Sequence, residues 1–115
     1  LTDDTVTAVL AAVGDAVPLR CHFHNTRNTG LANAYAAVSA GVGALDASLG
    51  GIGGCPFAPN ATGNIPTEDL AYMLARMGVD TGIDLDALAA VVPWLEERLG
   101  KRVPGLLAKA GPFPR

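Results

Sequence analysis

The sequence predicts an α/β chain organised on a βαβ unit, and three observations carry that expectation. Two short strand-like stretches, Leu19–His24 and Ala44–Leu49, flank one segment of helical period. Helical patterns rich in Ala and Leu stand on both sides of the pair. A glycine-rich run, Gly50–Asn64, comes directly after the second stretch. Two strands joined through one helix pair in parallel with a right-handed crossover.

The chain has 115 residues, enough for one small domain. Half of it is hydrophobic and 17% is charged, which points to a globular chain rather than a disordered one. The net charge is −3 and no basic block occurs, so a nucleic-acid surface is not expected. No apolar run reaches the roughly 20 residues of a membrane helix, and no signal-peptide pattern is visible. Cys21 and Cys55 are the two cysteines, and so few in a chain of this character point to free thiols and a reducing cytoplasm.

The first helix is expected at about residues 3–14, with Thr2 as cap and Asp3 and Asp4 in the first turn. Val6, Val9, Leu10 and Val13 give its apolar side, and Gly14 and Pro18 bracket its end. In the strand Leu19–His24, alternation places Leu19, Cys21 and Phe23 on one face and Arg20, His22 and His24 on the other. Two imidazoles on one face can share a metal ion, although the same pattern also suits a solvated strand face. After the polar turn Asn25–Gly30, a helix is expected over about Leu31–Ala40, with Leu31, Ala34, Tyr35 and Val38 inward and Gly41 at its end. The second strand, Ala44–Leu49, is apolar apart from Asp46, which reads as an interruption.

Gly50–Asn64 reads as a loop with a task. Four of its first five residues are glycine, which accepts positive φ and lets a backbone come close to a ligand. Cys55 sits at its centre, and Pro56 and Pro59 stiffen the backbone just after the thiol. A flexible linker would favour serine and charged residues, and the loop has neither. His24 and this loop both lie at the carboxyl ends of parallel strands, where α/β folds gather their ligands. His22, His24, Cys55 and Asn64 are therefore expected to converge.

Thr67 is placed to cap the next helix, with Glu68 and Asp69 in its first turn and Leu70, Met73, Leu74 and Met77 inward. Asp84 starts a long helix with Leu85, Leu88, Val91, Val92, Leu95 and Leu99 inward. Pro93 is expected to kink or divide it, and Glu96, Glu97 and Arg98 to form its solvated face. One short helix is expected within Val103–Ala110, and Gly111–Arg115 reads as a tail. Two strands cannot close a barrel or form a covered parallel sheet, so the chain reads as part of something larger, completed by further chain or by another copy.

The motifs resemble those of the hydroxymethylglutaryl-CoA lyases. The resemblance rests on His22-Phe-His24, on Asp46-Ala-Ser-Leu-Gly-Gly-Ile-Gly-Gly-Cys-Pro-Phe-Ala-Pro, and on Thr62-Gly-Asn64-Ile-Pro-Thr-Glu68-Asp69-Leu. The His-x-His pair with a downstream Asn is shared more widely, with condensing enzymes of the same barrel superfamily. The resemblance implies the last part of a (β/α)8 TIM barrel, strands seven and eight with the C-terminal helices, over residues 1–110, with 111–115 as the tail. It implies Mg²⁺ or Mn²⁺ held by His22, His24 and Asn64, with Asn25 and Glu68 as possible supports around the ligands. The Arg and the metal-binding Asp of the family's first strand have no match here. An acyl-CoA substrate is implied, cleaved from 3-hydroxy-3-methylglutaryl-CoA to acetyl-CoA and acetoacetate, with Cys55 as the proton donor. After His24 the chain reads Asn25-Thr-Arg27-Asn28 where many of these lyases resemble Asp-Thr-Tyr-Gly, which leaves open a related thioester. A condensing enzyme of the superfamily and a non-catalytic assembly module are the other readings.

Overall fold

The computed structural model describes residues 1–54 and 63–111. Its elements are α1 (Thr2–Val13), β1 (Arg20–His22), α2 (Gly30–Ser39), β2 (Ala44–Asp46), α3 (Thr67–Arg76), α4 (Leu85–Leu99) and α5 (Leu107–Ala110). β1 and β2 pair in parallel, with Arg20 opposite Ala44, Cys21 opposite Leu45 and His22 opposite Asp46. The predicted βαβ unit is therefore present, with shorter strands than expected. The chain leaves β2 at Asp46 and turns through Leu49–Gly51, where Gly50 and Gly51 take φ of 68° and 73°. L-residues rarely hold that conformation, so the glycines end the strand where apolar character alone would extend it.

The helices lie on the sheet face that carries Cys21 and Leu45. One cluster joins Val6 of α1 to Ala37 and Val42, with Leu19, Cys21 and Leu45 against it. A second joins Ala34, Ile65, Leu70 and Leu74, with Phe23 and Leu31 against it. α2 is thus buried on two sides, and Ala34 and Ala37 are fully covered. Their small side chains let both neighbours approach, which rotates Tyr35 outward to 53% exposure against the expected inward placement. Cys21 is a free, half-buried thiol on this apolar face.

Several local expectations are corrected. Thr2 does not cap α1; it lies within the helix, and its hydroxyl donates to Asn33 Oδ1 at 2.9 Å, tying α1 to α2. Thr67 likewise begins α3 without capping it, and Pro66 holds the cap position. Asp84 does cap α4, accepting from the Ala87 amide at 2.9 Å. α4 runs unbroken through Pro93. Pro93 is exposed, so its ring has room and the carbonyl it leaves unpaired can meet water. Only Val92 of the expected α4 stripe is buried, while Val91 and Leu99 are more than a third exposed. Glu96 is not on a solvated face: its side chain is 12% exposed, accepts from the Val103 amide at 2.9 Å and pairs with Arg102 at 2.8 Å.

Glu96 anchors a strap, residues 101–106, that crosses back to the glycine turn. Gly105 N donates to Gly50 O at 3.0 Å, and Val103 packs where a Cβ on Gly50 would stand. Asp69 accepts from the amides of Leu106 and Leu107, which caps α5 from α3. Glu68 is fully buried beneath the strap and accepts from the Gly50 amide at 2.9 Å. A Cβ built on Gly105 would land on Glu68 Oε1. Gly105→Ala is therefore expected to destabilise the fold by about 1–3 kcal/mol through overpacking. A urea midpoint equal to that of the unsubstituted protein would show that the strap yields instead.

Candidate active site

The second sheet face carries the polar residues. Both imidazoles come from β1 and its continuation, as alternation requires, and their ring centroids are 5.1 Å apart with the planes at 71°. His22 Nδ1 donates to Asp46 Oδ1, its register partner on β2. Both side chains are somewhat under half exposed.

Asn64 reaches the same place through its backbone. The segment 63–65 runs antiparallel to the end of β1: Asn25 N donates to Gly63 O at 3.1 Å, and Ile65 N to Phe23 O at 3.3 Å. His24 and Asn64 are thereby bridged directly. The next residues are tied to the end of β2, where Ser48 N donates to Ile65 O and Thr67 N to Ser48 O. One segment therefore closes the carboxyl ends of both strands. Gly63 is needed there, because a Cβ on it would strike Gly51 O. Both ends of the glycine loop are in this way held against each other above the site, and Cys55 itself lies outside the described residues.

The polar accounting is uneven. Asn64 Nδ2 donates to Ile52 O at 3.0 Å, which fixes the amide and leaves Asn64 Oδ1 buried without a partner. His24 Nδ1 is buried without a partner as well. Buried polar atoms left without a partner are costly unless a further group satisfies them. Two imidazoles and one amide oxygen suit a divalent cation. The residues present therefore fit a metal ion, although among the described residues no group of three or more His, Cys, Asp or Glu side chains converges.

The other two expected residues are occupied elsewhere. Asn25 Oδ1 accepts from the Gly30 amide at 3.0 Å and its Nδ2 donates to Asn28 Oδ1, so the side chain shapes the turn into α2. Asn28 holds φ of 56°, a conformation that asparagine tolerates best after glycine. Glu68 bonds the glycine turn, a closer task than partnering the dipole of α3. Sequence reasoning missed Asp46. Its signal was the register: in a parallel pair, charged residues ending both strands on one face become neighbours. A cleft of about 300 Å³ opens beside Asn64, walled by Asn25, Asn28, Gly63 and Pro104.

A parallel β-pair backed by helices, with imidazoles and a glycine loop at its carboxyl edge, has the architecture of a segment of a TIM-type (β/α) barrel. Residues 2–93 match the profile of the HMGL-like family, and the chain belongs to that family. It is 53% identical over 110 residues to (R)-citramalyl-CoA lyase of Chloroflexus aurantiacus, covering 93% of this chain and 35% of that protein. It is 44% identical over 101 residues to the hydroxymethylglutaryl-CoA lyase YngG of Bacillus subtilis, covering 88% of this chain and 34% of that one. Among solved structures, an HMG-CoA lyase from Acinetobacter baumannii in complex with coenzyme A and 3-methylmalate superposes with a TM-score of 0.89 at 47% identity, over 99% of this chain and 38% of its own. The chain thus spans about a third of the length of the curated relatives it matches. Among the described residues no helix is long and apolar enough to cross a membrane.

Proposed function

We propose that residues 1–110 form the C-terminal part of a divalent-metal carbon–carbon lyase that cleaves a 3-hydroxy-3-methyl acyl-CoA thioester, with 111–115 as a tail. The observation that carries this reading is the pair of buried, unpartnered polar atoms, His24 Nδ1 and Asn64 Oδ1, beside His22 and beneath the ends of the loop that bears Cys55. His22, His24 and Asn64 are the residues that would hold Mg²⁺ or Mn²⁺. Two nitrogen donors favour manganese somewhat, and zinc less, since its sites favour four protein ligands and often thiolate. The chemistry such an ion supplies when bound is Lewis acidity toward the tertiary hydroxyl and a neighbouring oxygen of the substrate.

This chain's own residues hold the reacting groups and supply a proton. The hydroxyl proton passes to a base as the C2–C3 bond breaks. The methyl ketone leaves, and the electron pair stays on the acetyl-CoA fragment as its enolate. Cys55 donates its proton to that carbon, and the thiolate is reprotonated from the base. A free thiol titrates near pH ~8.5, so at neutral pH it holds the proton it must give. The loop sequence has no Lys, Arg or His to stabilise a thiolate for nucleophilic work. The unpaired Cys21 accords with a cytoplasmic setting.

The substrate has two candidates. Hydroxymethylglutaryl-CoA would give acetyl-CoA and acetoacetate. Citramalyl-CoA, one methylene shorter, would give acetyl-CoA and pyruvate by the same bond cleavage. The 53% identity to a citramalyl-CoA lyase favours this second reading, as does the Asn25–Asn28 turn beside the cleft, which departs from the pattern of many hydroxymethylglutaryl-CoA lyases. A pocket discriminates one methylene by about 10–200-fold. The complete barrel containing this chain is expected to release acetyl-CoA from at least one of the two thioesters, with kcat/KM differing within that range. Metal-dependent synthesis of the thioester without detectable cleavage would favour a condensing enzyme, and no turnover in either direction would favour an assembly role.

A further inference from the structure

We infer that the two histidines take the metal ion through different ring nitrogens, His22 through Nε2 and His24 through Nδ1, and that Asp46 is the positioning residue that decides this at His22. The inference rests on the metal reading above and goes beyond it in assigning the atoms. At His22 the argument is stoichiometric. A carboxylate only accepts hydrogen bonds, so the bond to Asp46 Oδ1 puts the ring proton on Nδ1 and leaves the lone pair on Nε2. At His24 it is one of burial. Nδ1 is out of reach of solvent and lacks a partner. A proton placed there would be an unsatisfied buried donor, whereas a lone pair there is satisfied by a cation. The neighbouring Asn64 amide offers no donor to that nitrogen, because its Nδ2 donates to both Ile52 O and Ser48 Oγ and its free atom is the oxygen.

The placement of the three residues is set by the fold. His22 and Asp46 share a parallel register, so the carboxylate stands beside the first imidazole and not the second. His24 lies two residues on, where the strand pairing has ended and the chain is bridged to Asn64 instead. With planes at 71°, the two rings present different edges to their surroundings. A hydrogen-bonded carboxylate behind a metal-bound imidazole fixes the tautomer and the ring orientation. The simpler alternative is that Asp46 and His22 form only a half-exposed contact between strands, of little energetic weight.

The test uses the complete barrel labelled with ¹⁵N-histidine and loaded with ¹¹³Cd²⁺, a spin-½ probe that can couple to the nitrogen it binds. Resonances are assigned with His22→Gln and His24→Gln. Coupling is expected at His22 Nε2 and at His24 Nδ1, with protons on the opposite nitrogens. Coupling through the same type of nitrogen in both rings, or at His22 Nδ1, would overturn the inference while leaving the metal reading in place. No coupling at either ring would remove both.

Asp46→Ala separates positioning from mere contact. In the metal-free variant the His22 proton should distribute over both ring nitrogens while His24 stays unchanged, and cadmium affinity should fall by about 10–100-fold. Asp46→Asn, whose amide oxygen can still accept, should restore the Nδ1 proton. If Asp46→Ala leaves the His22 nitrogens as they were, Asp46 does not position the ring and the inference fails. Should the variant not fold, the coupling pattern of the unsubstituted protein decides alone.

Discussion

Cys55→Ser in the complete barrel should lower turnover by about 10²–10⁴-fold, the span that a general acid commands, with little change in thioester or metal binding. Serine keeps the size and a hydroxyl proton, but that proton is held many orders of magnitude more tightly than a thiol's. The enolate therefore waits longer and returns more often to the bound ketone. Steady-state kinetics with hydroxymethylglutaryl-CoA and citramalyl-CoA, alongside Mn²⁺ titration, measure both halves of the expectation. Cys21→Ser is the control, because Cys21 packs with Val6, Ala37 and Val42 on the opposite sheet face. If Cys21→Ser loses turnover and Cys55→Ser retains it, the loop is not the catalytic element.

The 115 residues on their own should show no turnover of either thioester. Their sheet is two strands of three residues each, with outer edges that have no strand partner among the described residues. The donors they would offer a metal ion are two imidazoles and one amide oxygen, and Mg²⁺ and Mn²⁺ ordinarily take about six ligands. A coupled assay for acetyl-CoA on the purified chain gives the answer, and release above a metal-free blank would refute it. Complementation would be the informative converse: adding the first two thirds of a related barrel as a separate chain should restore cleavage if the edges re-pair.

Much of this was legible in the residues. Period-2 alternation put His22 and His24 on one face and Cys21 on the other, and the rings and the core clusters lie that way. The helix between the strand-like stretches implied parallel pairing, which β1 and β2 show. What escaped depends on partners far away in sequence. Asp46 reads as a break in an apolar strand until the register sets it beside His22. Glu96 reads as part of a solvated helix face and Glu68 as a first-turn carboxylate or a support around the ligands, yet one accepts from the Val103 amide and the other from the Gly50 amide, beneath Gly105. No local periodicity encodes a carboxylate buried by a strap that returns dozens of residues later. The stripe of α4 failed for a related reason: hydrophobicity shows which residues can be buried, while the neighbours present decide which are.

The strap also links the evolutionary freedom of positions that are far apart in the chain. Gly105 takes no positive φ, so it is glycine for want of space rather than for backbone freedom, and the occupant of that space is Glu68. Shortening residue 68 to aspartate relieves the severest clash that alanine at 105 would meet, leaving the tight contact with Pro66 Cβ, but aspartate alone draws its carboxylate back from the Gly50 amide. Each change is expected to be harmful singly, and their effects should not add. Gly50 opens the loop that carries Cys55, so this epistasis ties variation near the C-terminus to the loop proposed to supply the proton.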